Sequence, residues 1–240
     1  MKVRKDITIC IDSGHGNDVL KFSPDKTYYE HARMRDLKYV LIGKLENRGY
    51  KVYDVNPEPK EPGLLTRASR VNKVWEDTGK KCIYISLHSN GLGYGDKWYD
   101  ADYWSIWTSV GQTYADYLAT DIYNVANKVL PQHGLRTSAQ TYVDGDPDYE
   151  ENFTVLVKSQ CPAVLIENLF HTNQKTVEWL LTDEAMNVLS DIVIEGVETF
   201  FQSKRCVEKF GEAPVVEPEQ PDVSDDVECT CTCTCKKCRK

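Results

Sequence analysis

The chain has 240 residues, enough for one good-sized domain plus an extension, and its 41 % hydrophobic content is ordinary for a globular protein. No stretch approaches the roughly 18 consecutive apolar residues of a membrane span, so no stable membrane association is expected. A net charge of −8, from 29 basic and 37 acidic residues, with no basic patch before residue 205, argues against a nucleic-acid partner.

The N-terminal Met-Lys-Val-Arg-Lys-Asp is basic but runs straight into a strand-like stretch. It lacks the longer apolar core and small-residue cleavage site of a signal peptide, so synthesis in the cytoplasm is expected, with any outside substrate reached by another route. Residues 7–12, Ile-Thr-Ile-Cys-Ile-Asp, read as a short buried strand, followed by the glycine-bounded loop Ser13-Gly14-His15-Gly16. Ser23-Pro24-Asp25 reads as a helix start. Beyond it Met34, Leu37, Leu41 and Leu45 recur at spacings of three and four, one helical face, and Gly49 suits the stop. Residues 50–55 alternate like a strand, and Pro57, Pro59, Pro62 and Gly63 mark a loop. Residues 64–75 read as a second helix, with Leu64, Ala68, Val71 and Trp75 on one side.

Residues 81–87 form a second buried strand that leads directly into His88-Ser89-Asn90-Gly91. Residues 93–103 read as a surface loop, residues 108–130 as a helix closed by Pro131 and Gly134, and Asp144-Gly145-Asp146-Pro147 as a turn in a polar stretch. Residues 163–166 are a third buried strand, ending at Glu167. A last helix runs from Asn173, an N-cap candidate, to Phe201, with a break near Thr182-Asp183. Strands alternating with helices imply an α/β fold: a single domain with a largely parallel twisted sheet flanked by helices.

Composition changes after residue 210. The domain is therefore assigned to residues 1–210, an acidic Pro-rich linker to 211–228, and a disordered Cys/Lys-rich tail to 229–240. Cys229, Cys231, Cys233, Cys235 and Cys238 crowd that tail. Such spacing suits soft metals or disulfides, but the run is too short and uniform for a zinc knuckle, and the favoured reading is a basic tip with incidental thiols. Cys10, Cys82, Cys161 and Cys206 are dispersed and read as buried free thiols.

His15, His88 and Glu167 each stand at or just past the C-terminal end of an apolar strand. In a parallel sheet those ends share one edge, where ligands of open α/β folds bind. Glu30 lies four residues before Met34 and so shares the first helix's core-facing stripe, within reach of that edge. Two imidazoles and a carboxylate, with a fourth position open, form a common catalytic zinc set, and a further carboxylate is what metal-assisted hydrolysis needs as a base. Singly, each residue has a plainer reading. His15 and His88 suit turns, Glu30 a helix start favoured by the dipole, and Glu167 a salt bridge or cap at a strand end.

Taken in order, the motifs resemble the zinc-dependent N-acetylmuramoyl-L-alanine amidases of the type-3 class, from about residue 7 to 201. Ile11-Asp12-Ser13-Gly14-His15-Gly16 is similar to that family's opening block, whose His is a ligand. Tyr29-Glu30 resembles the segment supplying the ligand Glu, and residues 65–72 the Arg-rich helix after it. Ile85-Ser86-Leu87-His88-Ser89-Asn90 resembles the block of the third ligand, and Pro162 to Phe170 the block of the catalytic Glu, here Glu167. One departure is Leu169, where the family usually has Gly; residues 91–151 do not align.

The resemblance implies one catalytic Zn2+ on His15, Glu30 and His88, with Glu167 as general base. It also implies peptidoglycan as partner and hydrolysis of the amide joining N-acetylmuramic acid to L-alanine. With no leader recognised, a phage or prophage endolysin is expected, acting on the wall after the membrane is opened. Another zinc peptidase on the same scaffold, or a wall-binding module with an inert site, are the alternatives. Among the remaining candidates, His31 points about 100° away from Glu30 and reads as solvated or packed. His133 reads as a helix-end residue, and His171 as a candidate to support the metal ligands. Tyr94, Trp98, Tyr99, Tyr103, Trp104 and Trp107 are candidates for a substrate groove or for core.

Overall fold

The computed structural model describes residues 4–141 and 144–214. The cysteine-rich tail and nearly all of the linker lie outside the described residues. Strand β1 (Thr8–Ser13) is buried along its whole length, as an unbroken Ile-rich run covered on both faces requires. There follow α1 (Glu30–Asn47), β2 (Lys51–Asp54), α2 (Leu64–Asp77), β3 (Cys82–Asn90), β4 (Tyr103–Thr108), α3 (Tyr114–Val129), β5 (Arg136–Thr137), β6 (Tyr149–Glu150), α4 (Thr154–Val157), β7 (Ala163–Phe170), α5 (Gln174–Leu180), α6 (Asp183–Gln202) and α7 (Lys204–Phe210).

The sheet runs β2-β1-β3-β7-β4-β5, with β6 also on β4. Every pairing is parallel except β4 with β7. The expected α/β domain is therefore present, with a mixed rather than wholly parallel sheet. The chain steps one way from β1 to β2 and back past β1 to β3. Right-handed crossovers then place α1 and α2 on opposite faces, and the point where the chain reverses lies between β1 and β3. Helix α6 packs along both α1 and α3. A Cβ on Gly196 would stand 2.5 Å from Ile122 Cα, so only glycine permits the α3–α6 approach.

Several boundaries differ from the sequence reading. Ser23-Pro24-Asp25 does not open α1; it forms a hydrogen-bonded turn in which Ser23 Oγ donates to Asp25 at 2.6 Å, and the helix starts at Glu30. Residues 103–108, between the loop expected to end at 103 and the helix expected from 108, form β4, whose Tyr-Trp-Ser-Ile-Trp-Thr is strand-prone. The expected break at Thr182 is real: Asn173 caps α5 and Thr182 caps α6. Cys10, Cys82, Cys161 and Cys206 are buried and free. No helix among the described residues is long and apolar enough to cross a membrane.

A buried polar network braces the loop after β1. Arg67 donates to Asp12 Oδ2 at 2.7 Å, to the Ser13 carbonyl at 2.7 Å and to both oxygens of Glu61. Tyr84 donates to the same Asp12 oxygen at 2.6 Å. Asn56 clamps Ser13 from the other side, accepting from its N–H and donating to its carbonyl, and is itself held by the buried Lys38 ammonium. Burial alone would lower the pKa of Arg67, but the neighbouring carboxylates outweigh it and keep the guanidinium charged.

Removing Arg67 strands Asp12, whose side chain is 0 % exposed. Arg67→Leu is expected to lower stability by about 3–5 kcal/mol in urea unfolding, the range for breaking a buried pair. Lys73→Ala, which breaks an exposed helical pair with Asp77, is expected to cost no more than about 0.5 kcal/mol.

Candidate metal centre

Three elements deliver the candidate ligands. His15 lies two residues past β1, with its backbone in the left-handed region at φ 59°. Glu30 opens α1 on the buried stripe it shares with Met34, Leu37, Lys38, Leu41 and Leu45. His88 lies within β3, since β3 runs to Asn90 rather than ending at Leu87. Glu30 is 2 % exposed, and its two oxygens face the two imidazoles. Oε1 lies 3.0 Å from His88 Nδ1 and Oε2 3.5 Å from His15 Nε2. The imidazoles meet edge to face at 5.2 Å, and one potential ligand atom from each of the three residues lies within 4.8 Å of the other two. A Cβ on Gly14 would sit 2.4 Å from His88 Nδ1 and 2.9 Å from Glu30 Oε1, so the loop can wrap this cluster only with glycine there.

Glu167 also lies inside its strand, not at its end, because β7 continues to Phe170. It stands directly opposite His88 in the β3–β7 register, and a bulge follows between His88 and Asn90. Its Oε2 is buried with no hydrogen-bond partner. Burial pushes the Glu167 carboxyl up to about 8, with Glu30 adding and His88 opposing. Burial alone would lower the pKa of His88, but the Glu30 hydrogen bond and charge outweigh it and raise it to about 9. Burial would raise the pKa of Glu30, yet the two imidazoles hold it below the ordinary range. One carboxylate thus stays charged between two imidazoles while the other, a strand away, is driven toward its neutral form.

Supporting contacts surround this set. Asn168 donates to the His88 carbonyl at 3.1 Å and accepts from Trp104 Nε1 at 3.1 Å. The Ser89 N–H donates to Glu30 Oε1 at 3.2 Å. Tyr28 donates to Ser89 Oγ at 2.9 Å, and Ser89 Oγ lies 3.2 Å from His171 Nδ1. His171 is thus tied to a neighbour of His88 and stacks on Tyr28. Ser89 and Asn168 adjoin His88 and Glu167 in sequence, which was their only signal; Tyr28 gave none. Leu169 adopts φ 64°, the left-handed backbone that glycine enters freely, and its side chain is fully buried. The strain, about 1–2 kcal/mol, is smaller than the roughly 2–5 kcal/mol lost when a buried Leu is truncated, so leucine is tolerated there.

The cluster opens into two cavities. One of about 340 Å3 is lined by His15, Lys21, Asn90, Tyr94, Glu167 and His171. The other, about 360 Å3, is lined by His15, Leu64, Arg67, Phe153, Val155 and Glu167. Of the candidate aromatics only Tyr94, 98 % exposed, lines either cavity. Trp104 is core, Trp107 packs at a tilt against Tyr149 and Phe153, and Tyr103 meets Phe170. His31 lines neither cavity, and His133 pairs with Glu184 at 3.1 Å.

The family model described as N-acetylmuramoyl-L-alanine amidase matches residues 9–199. No curated protein matches the chain significantly. Among solved structures, an N-acetylmuramoyl-L-alanine amidase from Clostridium difficile 630 is 23 % identical with a TM-score of 0.69, covering 83 % of this chain and 99 % of that one. The catalytic domain of CwlV, an amidase from Bacillus (Paenibacillus) polymyxa var. colistinus, is 18 % identical with a TM-score of 0.67, covering 82 % and 99 %. The catalytic domain of the CD27L endolysin, which targets Clostridia difficile, is 19 % identical with a TM-score of 0.59, covering 80 % and 97 %. These likenesses are of fold.

The raised Glu167 pKa has a stability consequence in chelator-treated protein. Below the ordinary carboxyl value of 4.5 the group is protonated in both folded and unfolded chains and contributes nothing. Between 4.5 and about 8 the unfolded chain releases the proton and the folded one keeps it, so the folded state loses ground as pH rises. Glu167→Gln is therefore expected to melt about 5 °C or more above wild type at pH 8, with the difference vanishing at pH 4; equal melting at both would sink the buried-carboxyl account.

Proposed function

This chain belongs to the N-acetylmuramoyl-L-alanine amidase family, and we propose that it cuts the muramoyl–L-alanine amide of peptidoglycan with one zinc ion held by His15, Glu30 and His88. The observation that carries this reading is the convergence of those three residues within 4.8 Å of one another, beside a buried, unpartnered carboxylate oxygen of Glu167. The fit is chemical as well as spatial. Two imidazole nitrogens and one carboxylate are the donor set zinc takes at hydrolytic centres, and Gly14 brings the loop against His88 and Glu30 where any side chain would clash.

Bound there, zinc supplies a Lewis acid that polarises the amide carbonyl and makes a water acidic enough to attack at neutral pH. The remaining work falls to the chain's own residues. Glu167 takes the proton of the attacking water on its carboxylate and later gives it to the departing L-alanine nitrogen. Its burial and the lack of a donor to Oε2 favour the protonated form needed for the second transfer. The stem peptide leaves with a free amino terminus, and the glycan strand stays intact. Ser89, Asn168 and His171 keep the ligands oriented. The two cavities that share His15, His88 and Glu167 suit a substrate that passes through the centre rather than ending at it.

The site of action belongs to the same proposal. The enzyme is made in the cytoplasm and reaches the wall when the membrane is opened, as an endolysin does. The endolysin domain among the similar folds supports this.

Digestion of purified peptidoglycan tests the chemistry. New L-alanine amino termini without new reducing sugars are expected, abolished by chelator and restored by zinc. Glu167→Gln is expected to lose about 10²–10⁴-fold in kcat while still binding zinc. Cleavage within the peptide would refute the bond assignment, undiminished Glu167→Gln activity the base, and binding without cleavage in zinc would favour an inert wall-binding module. For the site of action, expression in bacteria whose wall the enzyme cleaves should leave cells intact until the membrane is permeabilised. Lysis without permeabilisation would overturn the endolysin reading.

A further inference from the structure

The described residues hold a second convergence of acidic groups, sharing no residue with the first. Asp116 lies in the first turn of α3, where the Thr113 N–H donates to its Oδ2 in a reciprocal cap. Asp146 and Asp148 come from the loop Asp144-Gly145-Asp146-Pro147-Asp148 that leads into β6. Thr108, at the end of β4, donates its hydroxyl to Asp148 Oδ2, and Gln112 donates to Asp146 Oδ2 at 3.3 Å. Each carboxylate thus has one oxygen satisfied. The other oxygens, Asp116 Oδ1, Asp146 Oδ1 and Asp148 Oδ1, are buried without any donor. Asp116 and Asp148 are each only 1 % exposed.

One oxygen from each of the three carboxylates lies within 4.8 Å of the other two. No described Lys, Arg or His forms an ion pair with any of them. Converging buried carboxylates repel one another and forgo hydration, a costly arrangement unless a proton or a cation lies between them. The protonated alternative is visible in the electrostatics: burial first, then the neighbouring acids, pushes Asp148 up to about 8, and burial raises Asp116 to about 6. The spacing also fits an ion, since oxygens held at about 2.3–2.6 Å on opposite sides of calcium are about 5 Å apart.

We propose that Asp116, Asp146 and Asp148 bind one calcium ion, at a structural site separate from the zinc set. An all-oxygen, all-carboxylate donor set selects a hard cation over zinc. Two of its ligands sit on a loop, which suits calcium's flexible coordination better than the near-octahedral demand of magnesium. The ion ties the loop to the start of α3 and the end of β4. Just beyond β6, Asn152, Phe153, Thr154 and Val155 line the cavity beside His15 and Glu167. Calcium therefore stiffens one wall of the cleft.

The test is calorimetric titration of the zinc-loaded full chain with calcium chloride, alongside magnesium chloride, followed by thermal melting. One calcium per chain is expected, with a melting point raised by about 5 °C at saturating calcium. Asp116→Asn and Asp148→Asn keep shape and capping while removing charge. Each is expected to abolish the calcium response and to melt at or above calcium-free wild type, because repulsion is relieved. Asp146→Asn, at the more exposed position, gives the same readout should the buried variants fail to fold. No calcium uptake by wild type, uptake of magnesium alone, or an undiminished response in the variants would overturn the proposal. Neither readout depends on amidase activity, so the outcome stands whatever the substrate.

Discussion

Parallel pairing sets Ser13 against Leu87 and Leu87 against Ile166, so β1, β3 and β7 bring their chemistry to one level of the sheet. Register in a sheet is unforgiving: a slip of one residue would turn His88 or Glu167 to the opposite face. The apolar runs leading into His88 and Glu167 hold that register, since every apolar residue from Ile83 to Leu87 and from Ala163 to Ile166 is buried. The reversal between β1 and β3 opens the crevice into which the β1 loop carries His15. The ligand geometry is therefore a consequence of core packing, and the ligands themselves contribute little to holding it.

The centre is costly to the fold, and the surrounding structure offsets that cost. Glu30 and Lys38 both occupy the core-facing stripe of α1, positions that hydrophobic residues would otherwise fill. Glu30 is satisfied by two imidazoles and a backbone N–H, Lys38 by Asp54 and Asn56. Arg67 and Asn56 then grip Ser13 from two sides, so the turn carrying His15 is braced although its backbone is in an uncommon conformation. Glu167 is the exception. Its orphaned oxygen is left unpaired, the arrangement expected where a group is kept for chemistry rather than stability.

The segment from β4 to α4 closes the cleft rather than building the centre. β4 joins antiparallel to β7, placing Ser105 opposite Glu167 and bringing Trp104 to Asn168. The chain from β5 to α4 then wraps back so that Phe153 and Val155 form a wall beside His15. Its stiffness depends on short strands and on how three aspartates near α3 are neutralised.

The sequence alone was sufficient for the α/β class, for the buried strands around residues 9, 84 and 165, for the α5–α6 break, and for His15, Glu30, His88 and Glu167 as candidates. Those features are local: unbroken apolar runs, caps and glycine-bounded loops follow from the chemistry of neighbouring residues. The length of β3 and β7 was not local. Polar His88, Ser89 and Asn90 read as a loop, yet pairing with β7 extends the strand through them. β4 was missed because its aromatics carry no clean alternation and its partner, β7, lies some 60 residues away in sequence. The contact of Tyr28 with Ser89, and the meeting of Asp116 with Asp146 and Asp148, were likewise illegible, since they join residues with no shared periodicity. Residue type and spacing determined which groups could do chemistry; only strand register and helix crossover decided which of them meet, because distance between groups remote in sequence is set by packing.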